Sequence, residues 1–137
     1  MTPRDRTAAG RFRILAIANE AVEGEAFLQL VAEHAGAQPA EVLVVAPGLG
    51  DDEGRLERSI ERLVSEGVHA YGWVGNADPM QAIAGALAVF EADELIIATH
   101  PAHKSSWLAQ DVVTRARERF GLPTEHVVVD TRLFAMA

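Results

Sequence analysis

A polar cluster near residue 100 offers the clearest candidate chemistry in this sequence. It brings hydroxyl groups, two imidazoles and an ammonium group into eight consecutive positions, at Thr99, His100, His103, Lys104, Ser105 and Ser106. A continuous apolar run precedes the cluster, and a stretch with helical spacing of apolar residues follows it. Hydroxyl groups, lysine and the first amides of a helix all bind anions. The cluster therefore predicts a site for a small anion such as a phosphate.

A simpler interpretation of part of this cluster remains open. Serine is one of the preferred residues at the N-cap of a helix, so Ser105 or Ser106 can serve only to begin the helix that follows. Lys104 would then be a solvated surface side chain. The two hypotheses differ in the role of Lys104, because only the anion-site hypothesis has Lys104 bind a ligand.

Histidines are the natural metal ligands in a chain without cysteine. His100 and His103 have suitable spacing, but zinc needs at least one more protein ligand, and the available acids, such as Asp130, are distant in sequence. His34 is expected on the surface at a helix C-terminus. His126 is expected at the start of a strand, on the rim of the sheet opposite the cluster. We therefore assign no metal ligand and no catalytic residue.

The composition is that of a packed domain and excludes several classes of function. The chain has 137 residues, of which 49% are hydrophobic and 23% charged, and it has no cysteine. Disulfides, cysteine metal sites and thiol nucleophiles are therefore excluded. A net charge of −8 disfavours nucleic acid, whose backbone is also anionic. Without a signal sequence or an apolar run near the roughly 20 residues that span a bilayer, we expect a cytoplasmic protein and no membrane contact.

Apolar strand patterns alternate with helical patterns along the chain. The predicted strands are Arg13–Ala18, Glu41–Ala46, Val68–Val74, Leu95–Ala98 and Val127–Val129. This alternation predicts an α/β fold, an open, doubly wound, Rossmann-like parallel sheet of five strands with helices on both faces. We place the domain at residues 11–130, between a flexible N-terminus at residues 1–10 and a tail at residues 131–137.

Ligands of open parallel sheets bind at the carboxyl ends of the strands. Polar residues follow the predicted first and third strands, and Ala46 ends the second. Together with the cluster after the fourth strand, these positions form the candidate ligand-binding set: Asn19, Glu20, Ala46, Asn76, Thr99, His100, Lys104, Ser105 and Ser106.

Common nucleotide and hydrolase motifs are missing from the sequence. The turn after the first strand, Ala18–Gly24, lacks the glycines of the dinucleotide motif G-x-G-x-x-G. Neither the phosphate loop G-x-x-x-x-G-K-[ST] nor the nucleophile elbow G-x-S-x-G occurs. Nicotinamide, flavin, P-loop and esterase chemistry are therefore not expected.

The order of the elements resembles the universal stress protein family over residues 13–130. Arg13–Asn19 is similar to the opening strand of the family, Gly75–Ile83 to its glycine turn and third helix, and Ala92–His100 to the segment with its fourth strand. The resemblance implies the strand order 3-2-1-4-5 and frequent dimer formation through the fifth strand. It also implies ATP or AMP as candidate ligands.

The segment that would bind ATP departs from the family pattern. ATP-binding members carry Gly, two residues, Gly, nine residues, then Gly and Ser or Thr, and here these four positions are Ala98, Pro101, Asp111 and Val112. Pro101 removes an amide donor, and Asp111 would bring a carboxylate near the phosphates. Asn19, where the family usually has Asp, can still bind adenine or ribose through its amide. We therefore expect nucleotide binding that is weak or lost.

These observations favour a regulatory binding module over an enzyme. The β-branched run Val127–Val129 would leave an exposed sheet edge if it were unpaired, which favours a homodimer formed through the fifth strand. Two alternatives remain open. One is a slow nucleotide hydrolase with His100 or His103 as base and Lys104 on phosphate. The other is a purely protein-binding dimerisation domain whose crevice is closed by Pro101.

Overall fold

Strands and helices alternate along the described part of the chain in the computed structural model. It describes residues 12–18, 25–36, 40–46, 53–75, 78–99 and 111–128. The strands are β1 (Phe12–Ile17), β2 (Ala40–Val45), β3 (His69–Trp73), β4 (Glu94–Thr99) and β5 (Thr124–Val128). The helices between them are α1 (Glu25–Gly36), α2 (Glu53–Ser65), α3 (Pro79–Val89) and α4 (Val112–Phe120).

All five strands belong to one parallel sheet in the order β3-β2-β1-β4-β5. The central strand β1 pairs with β2 on one side and β4 on the other, so that Ile17 lies opposite both Val45 and Ile97. The predicted fold class and strand order are confirmed. Each connection between strands that are consecutive in sequence contains a helix, as a parallel crossover requires.

Helices cover both faces of the sheet, which explains why its inner strands are apolar throughout. On one face, Phe27 of α1 and Leu63 of α2 pack with alternate strand residues such as Ile96. On the other face, Ile83 of α3 and Val112 of α4 pack with the intervening strand residues. Successive strand residues point to opposite faces, so neither face can accept a polar side chain without a buried partner. In the described segments, no helix combines the length and apolar character needed to cross a membrane.

The fifth strand begins earlier than its hydrophobicity indicates. The sequence predicts a strand at Val127–Val129, whereas β5 begins at Thr124 and residue 129 lies outside the described residues. The Leu95 amide already donates to the Pro123 carbonyl at 2.9 Å, so pairing with β4 starts before the apolar run. Edge strands are only partly covered, and the polar start of β5 is consistent with that position.

Two glycines permit close packing around β3. A Cβ atom at Gly72 would lie 3.0 Å from Leu56 Cγ and 3.1 Å from Ile60 Cγ1, both in α2. A Cβ atom at Gly75 would lie 3.1 Å from Val45 Cγ1 and 3.2 Å from the Cβ of Ala82 in α3. Glycine at these positions therefore lets both helices approach the edge of the sheet closely.

Adjacent residues in α2 provide a direct test of this packing. Leu63 is fully buried, whereas Val64 is 53% exposed. We expect Leu63→Ala to lower the free energy of unfolding by about 2–5 kcal/mol, because it leaves a cavity in the core. Val64→Ala should change it by no more than about 0.5 kcal/mol. Urea denaturation followed by circular dichroism measures both, and equal losses in the two variants would contradict the assigned helix face.

Candidate functional site

The strand order predicts a crevice at the carboxyl end of the sheet. After β1, the chain places β2 and β3 on one side, and it then crosses to place β4 and β5 on the other. Helices that leave neighbouring strands in opposite directions open a crevice between the ends of β1 and β4, where open α/β sheets bind ligands. We call this place the switch crevice. Ala18 directly follows β1 and Thr99 ends β4, and both residues are buried.

Most of the predicted ligand-binding residues lie outside the described residues. This applies to Asn19, Glu20, Asn76, His100, Lys104, Ser105 and Ser106. In sequence, Asn19 follows Ala18 and His100 follows Thr99, so the chain leaves the described strands on both sides of the switch crevice. The roles of these seven residues remain predictions.

Ala46 is the predicted site residue that follows β2, and its backbone amide forms a hydrogen bond within the sheet. It is fully buried, and its amide donates to the Trp73 carbonyl at 3.0 Å. The Ala18 amide likewise donates to the Val45 carbonyl at 3.0 Å. A ligand in the switch crevice must therefore obtain its hydrogen-bond donors from groups other than these two amides.

Thr99, the other predicted site residue within the described part, pairs with a histidine. Its side-chain oxygen Oγ1 lies 2.9 Å from His126 Nε2, and Thr99 is only 1% exposed. The sequence-based expectation that His126 lies at the opposite end of the sheet is wrong. Because β5 starts at Thr124, His126 lies opposite Ile97, and its ring reaches the carboxyl end of β4.

The surroundings of His126 favour its neutral form. Burial lowers the pKa of His126, and the positive charge of Arg117 lowers it further. Arg117 is held nearby because its guanidinium donates to the Thr124 carbonyl at 3.2 Å. A neutral imidazole can either donate to or accept from the Thr99 hydroxyl, so it keeps the buried hydroxyl paired.

Solved structures match this architecture, although no protein-family profile matches the sequence and no curated protein matches it significantly. A universal stress protein from Archaeoglobus fulgidus aligns with a TM-score of 0.59 and 17% identity, covering 90% of this chain and 97% of its own. The Archaeoglobus fulgidus protein in complex with dAMP aligns with a TM-score of 0.54 and 18% identity, and the alignment covers 88% of this chain and 98% of that protein. A universal stress protein in complex with cAMP aligns with a TM-score of 0.56 and 16% identity, and the alignment covers 89% of this chain and 98% of that protein. This chain has the universal stress protein fold.

One departure from the universal stress protein pattern can be examined directly. Asp111, where the pattern has glycine, has φ 57° and ψ 43°, and it is the one non-glycine residue in the described segments with a positive φ. It occupies the N-cap position of α4 but makes no side-chain capping hydrogen bond. The backbone here has the left-handed conformation that glycine adopts most easily, while the side chain carries a carboxylate. Ala98, at the first glycine position, is buried within β4.

A second concavity lies beside α2 and β3, at the edge of the universal stress protein fold. It is an open groove of about 590 Å³, lined by Leu56, Glu57, Ile60, Glu61, Gly72, Trp73 and Val74. Two glutamates and an apolar floor make it unsuitable for an anion. The predicted anion site therefore has no counterpart in this groove.

A cluster of one histidine and two glutamates that the sequence did not indicate lies at the amino end of the sheet. Ligand atoms of His34, Glu94 and Glu125 all lie within 4.8 Å of one another. These residues belong to α1, β4 and β5, and no sequence spacing links them. His34 is half-buried against Glu94 rather than simply placed on the surface, as its helix-terminal position had indicated.

The environment of His126 predicts a pH-dependent stability that its removal should reduce. An unfolded histidine titrates near pH 6.5, whereas His126 titrates lower in the folded protein. Below about pH 6.5 the unfolded chain takes up a proton that the folded protein does not, so stability is lost as the pH falls. We expect His126→Gln to reduce the loss measured by urea denaturation between about pH 7.5 and about pH 5.5.

Glutamine keeps a hydrogen-bonding group near Thr99, so this variant removes the titration without removing the polar side chain. His69→Gln, at an exposed position in β3, is the matched control for the loss of a histidine and should retain the wild-type pH dependence. Identical pH dependence in His126→Gln and wild type would contradict the prediction.

Proposed function

We propose that this chain is a regulatory binding module that takes a nucleoside monophosphate in the switch crevice and performs no catalysis on it. The observation that carries the proposal is the strand order, which predicts a ligand crevice between the ends of β1 and β4, and in sequence these ends are followed by Asn19 and His100. Two structures that share the fold are complexes with dAMP and with cAMP. Both ligands carry one phosphate on an adenine nucleoside.

The candidate residues divide into two chemical groups that suit such a ligand. Asn19 and Asn76 offer amides for the base and ribose, and Glu20 offers a carboxylate for ribose hydroxyls. Lys104, Ser105 and Ser106 would bind the phosphate together with His100. Thr99 and Ala46 are buried and would support the ligand site from below rather than contact the ligand. Because the chain carries a net charge of −8, this local ammonium group is needed to attract an anion.

A monophosphate fits the sequence better than ATP. Pro101 cannot donate an amide hydrogen bond, and Asp111 places a carboxylate at the N-terminus of α4, where the helix dipole would otherwise favour phosphate. Each added phosphate increases the repulsion from that carboxylate. AMP is therefore the proposed ligand, and binding is expected to be weak.

A nucleotide titration with three variants tests this proposal. We expect AMP to bind in the micromolar to millimolar range by isothermal titration calorimetry. Asp111→Gly should tighten binding about two- to fivefold, the size of a charge effect at a helix N-terminus. Lys104→Gln should weaken it about tenfold or more, because a charge-assisted hydrogen bond is lost.

Glu118→Gln is the matched control, since it removes an equal charge from an exposed position in the same helix. It should leave the AMP affinity unchanged. Absence of AMP binding at millimolar concentration in both wild type and Asp111→Gly would overturn the proposed ligand. The purely protein-binding alternative would then be favoured.

We further propose that two copies of the domain, residues 11–130, pair through β5 in the cytoplasm as part of a stress-response function. β5 is an edge strand of the sheet, and its Val128 is 48% exposed. An unpaired edge presents free backbone groups and favours association with another strand. Residues 1–10 and 131–137 are assigned to the termini outside this domain.

Substitution at this edge should separate the proposed dimer. We expect sedimentation to show a dimer for the wild type at micromolar concentration and a monomer for Val128→Lys, because a lysine on an edge strand opposes pairing. Val89→Lys changes a valine that is 77% exposed in α3 and should remain dimeric. A monomeric wild type, or a dimeric Val128→Lys variant, would contradict pairing through β5.

A further inference from the structure

We propose that His34, Glu94 and Glu125 form a binding site for a divalent transition-metal ion of the zinc class. We call these three residues the amino-end cluster. Their ligand atoms all lie within 4.8 Å of one another, and His34 Nδ1 lies 2.9 Å from Glu94 Oε1. The cluster is independent of the nucleotide proposal.

The fold brings the three side chains together at one end of the sheet. His34 lies in the last turn of α1, Glu94 begins β4, and Glu125 is the second residue of β5. The Cα atom of Glu125 lies opposite that of Ile96, whose side chain packs on the α1 face of the sheet. Glu94 precedes Ile96 by two residues and therefore points to the same face.

This position separates the cluster from the switch crevice. β4 runs from Glu94 at its amino end to Thr99 at its carboxyl end. Five residue steps along a strand span about 17 Å. A ligand at either place therefore makes no direct contact with the other.

The donor set selects a class of metal. It contains one imidazole nitrogen and two carboxylates, whereas calcium and magnesium sites use oxygen ligands. Zinc is commonly bound by three protein ligands drawn from histidine and acidic residues, with water in the fourth position. Among divalent ions at such a mixed site, zinc binds more tightly than manganese or iron. Zn²⁺ is therefore the appropriate probe.

Local charge and burial also favour a cation. Two carboxylates at this separation repel each other, and one histidine cannot neutralise both. No salt bridge joins Glu125 to a lysine or arginine within the part of the chain that the structure describes. The side chains of His34 and Glu94 are 25% and 14% exposed, so water competes weakly there, while exposed Glu125 leaves an entry path.

A bound ion would join three elements that are distant in sequence. His34 and Glu94 are separated by 60 residues, and Glu125 belongs to the strand at the edge of the sheet. Because the unfolded chain does not preassemble these ligands, metal binding would stabilise the folded state. The ion would thereby fasten α1 and the edge strand β5 to the central β4.

Calorimetric titration of the full chain with zinc chloride tests the site. We expect one Zn²⁺ per chain, together with a higher thermal unfolding midpoint in the presence of zinc. Glu125→Gln and His34→Gln should each weaken binding at least about tenfold, since even a partner outside the coordination shell can contribute that much. Glu125→Gln leaves the His34–Glu94 pair intact, and circular dichroism will verify that both variants are folded.

Two controls separate this site from other zinc ligands in the chain. The double variant His100→Gln, His103→Gln removes the two histidines with ligand-like spacing and should retain the wild-type affinity. Glu118→Gln removes an exposed carboxylate on the opposite face and should also retain it. No zinc binding at concentrations up to about 100 μM, far above the dissociation constants of structural zinc sites, would overturn the proposal. So would wild-type affinity in Glu125→Gln, or loss of binding in the His100, His103 double variant.

Discussion

Coverage of the central strands by helices on both faces is the constraint on which this structure depends. From Ile14 to Ala18 every side chain is fully buried, and Leu95 to Ala98 in β4 are fully buried as well. A polar group in the middle of either strand would lose its water without gaining a partner. Polar chemistry is therefore restricted to the strand ends. Both ends of β4 carry it, with Glu94 at one end and Thr99 at the other.

The edge strand β5 follows a different rule because it is only partly covered. It can accept polar residues within its length, and two consecutive residues point to opposite faces of the sheet. Glu125 joins the cluster on the α1 face, whereas His126 pairs with Thr99 on the other. One short strand thus supplies a side chain to each of the two polar ends of β4.

At the N-terminus of α4, the backbone conformation suits glycine but the side chain is that of an aspartate. Asp111 keeps a left-handed conformation that suits glycine, while its carboxylate opposes an anion at the same helix terminus. At this position the universal stress protein fold is therefore combined with a side chain that disfavours an anion. This combination is the physical basis for expecting a monophosphate and a weak affinity.

The sequence alone was sufficient for the fold, whereas the ligand-binding roles of the candidate residues stay predictions. Alternating apolar strands and amphipathic helices indicated a doubly wound sheet, and the resemblance of segments such as Arg13–Asn19 to universal stress proteins supplied the strand order. The ends of β2 and β4 were located well enough to select Ala46 and Thr99 as residues at the carboxyl rim. The partner of Thr99 could not be found in this way, because the start of β5 is polar.

The spacing of apolar residues in the sequence indicates which face of a helix or strand is buried. It does not indicate which residues that are distant in sequence contact each other. The contacts of Thr99 with His126, and of His34 with Glu94, join residues 27 and 60 positions apart. They depend on the register of β5 against β4 and on where the end of α1 lies over the sheet. The sequence by itself determined the layered α/β architecture, because burial on two faces leaves a strong apolar pattern. Only the tertiary structure decided which polar side chains meet, because strand register and helix docking are set by the packing of the whole sheet.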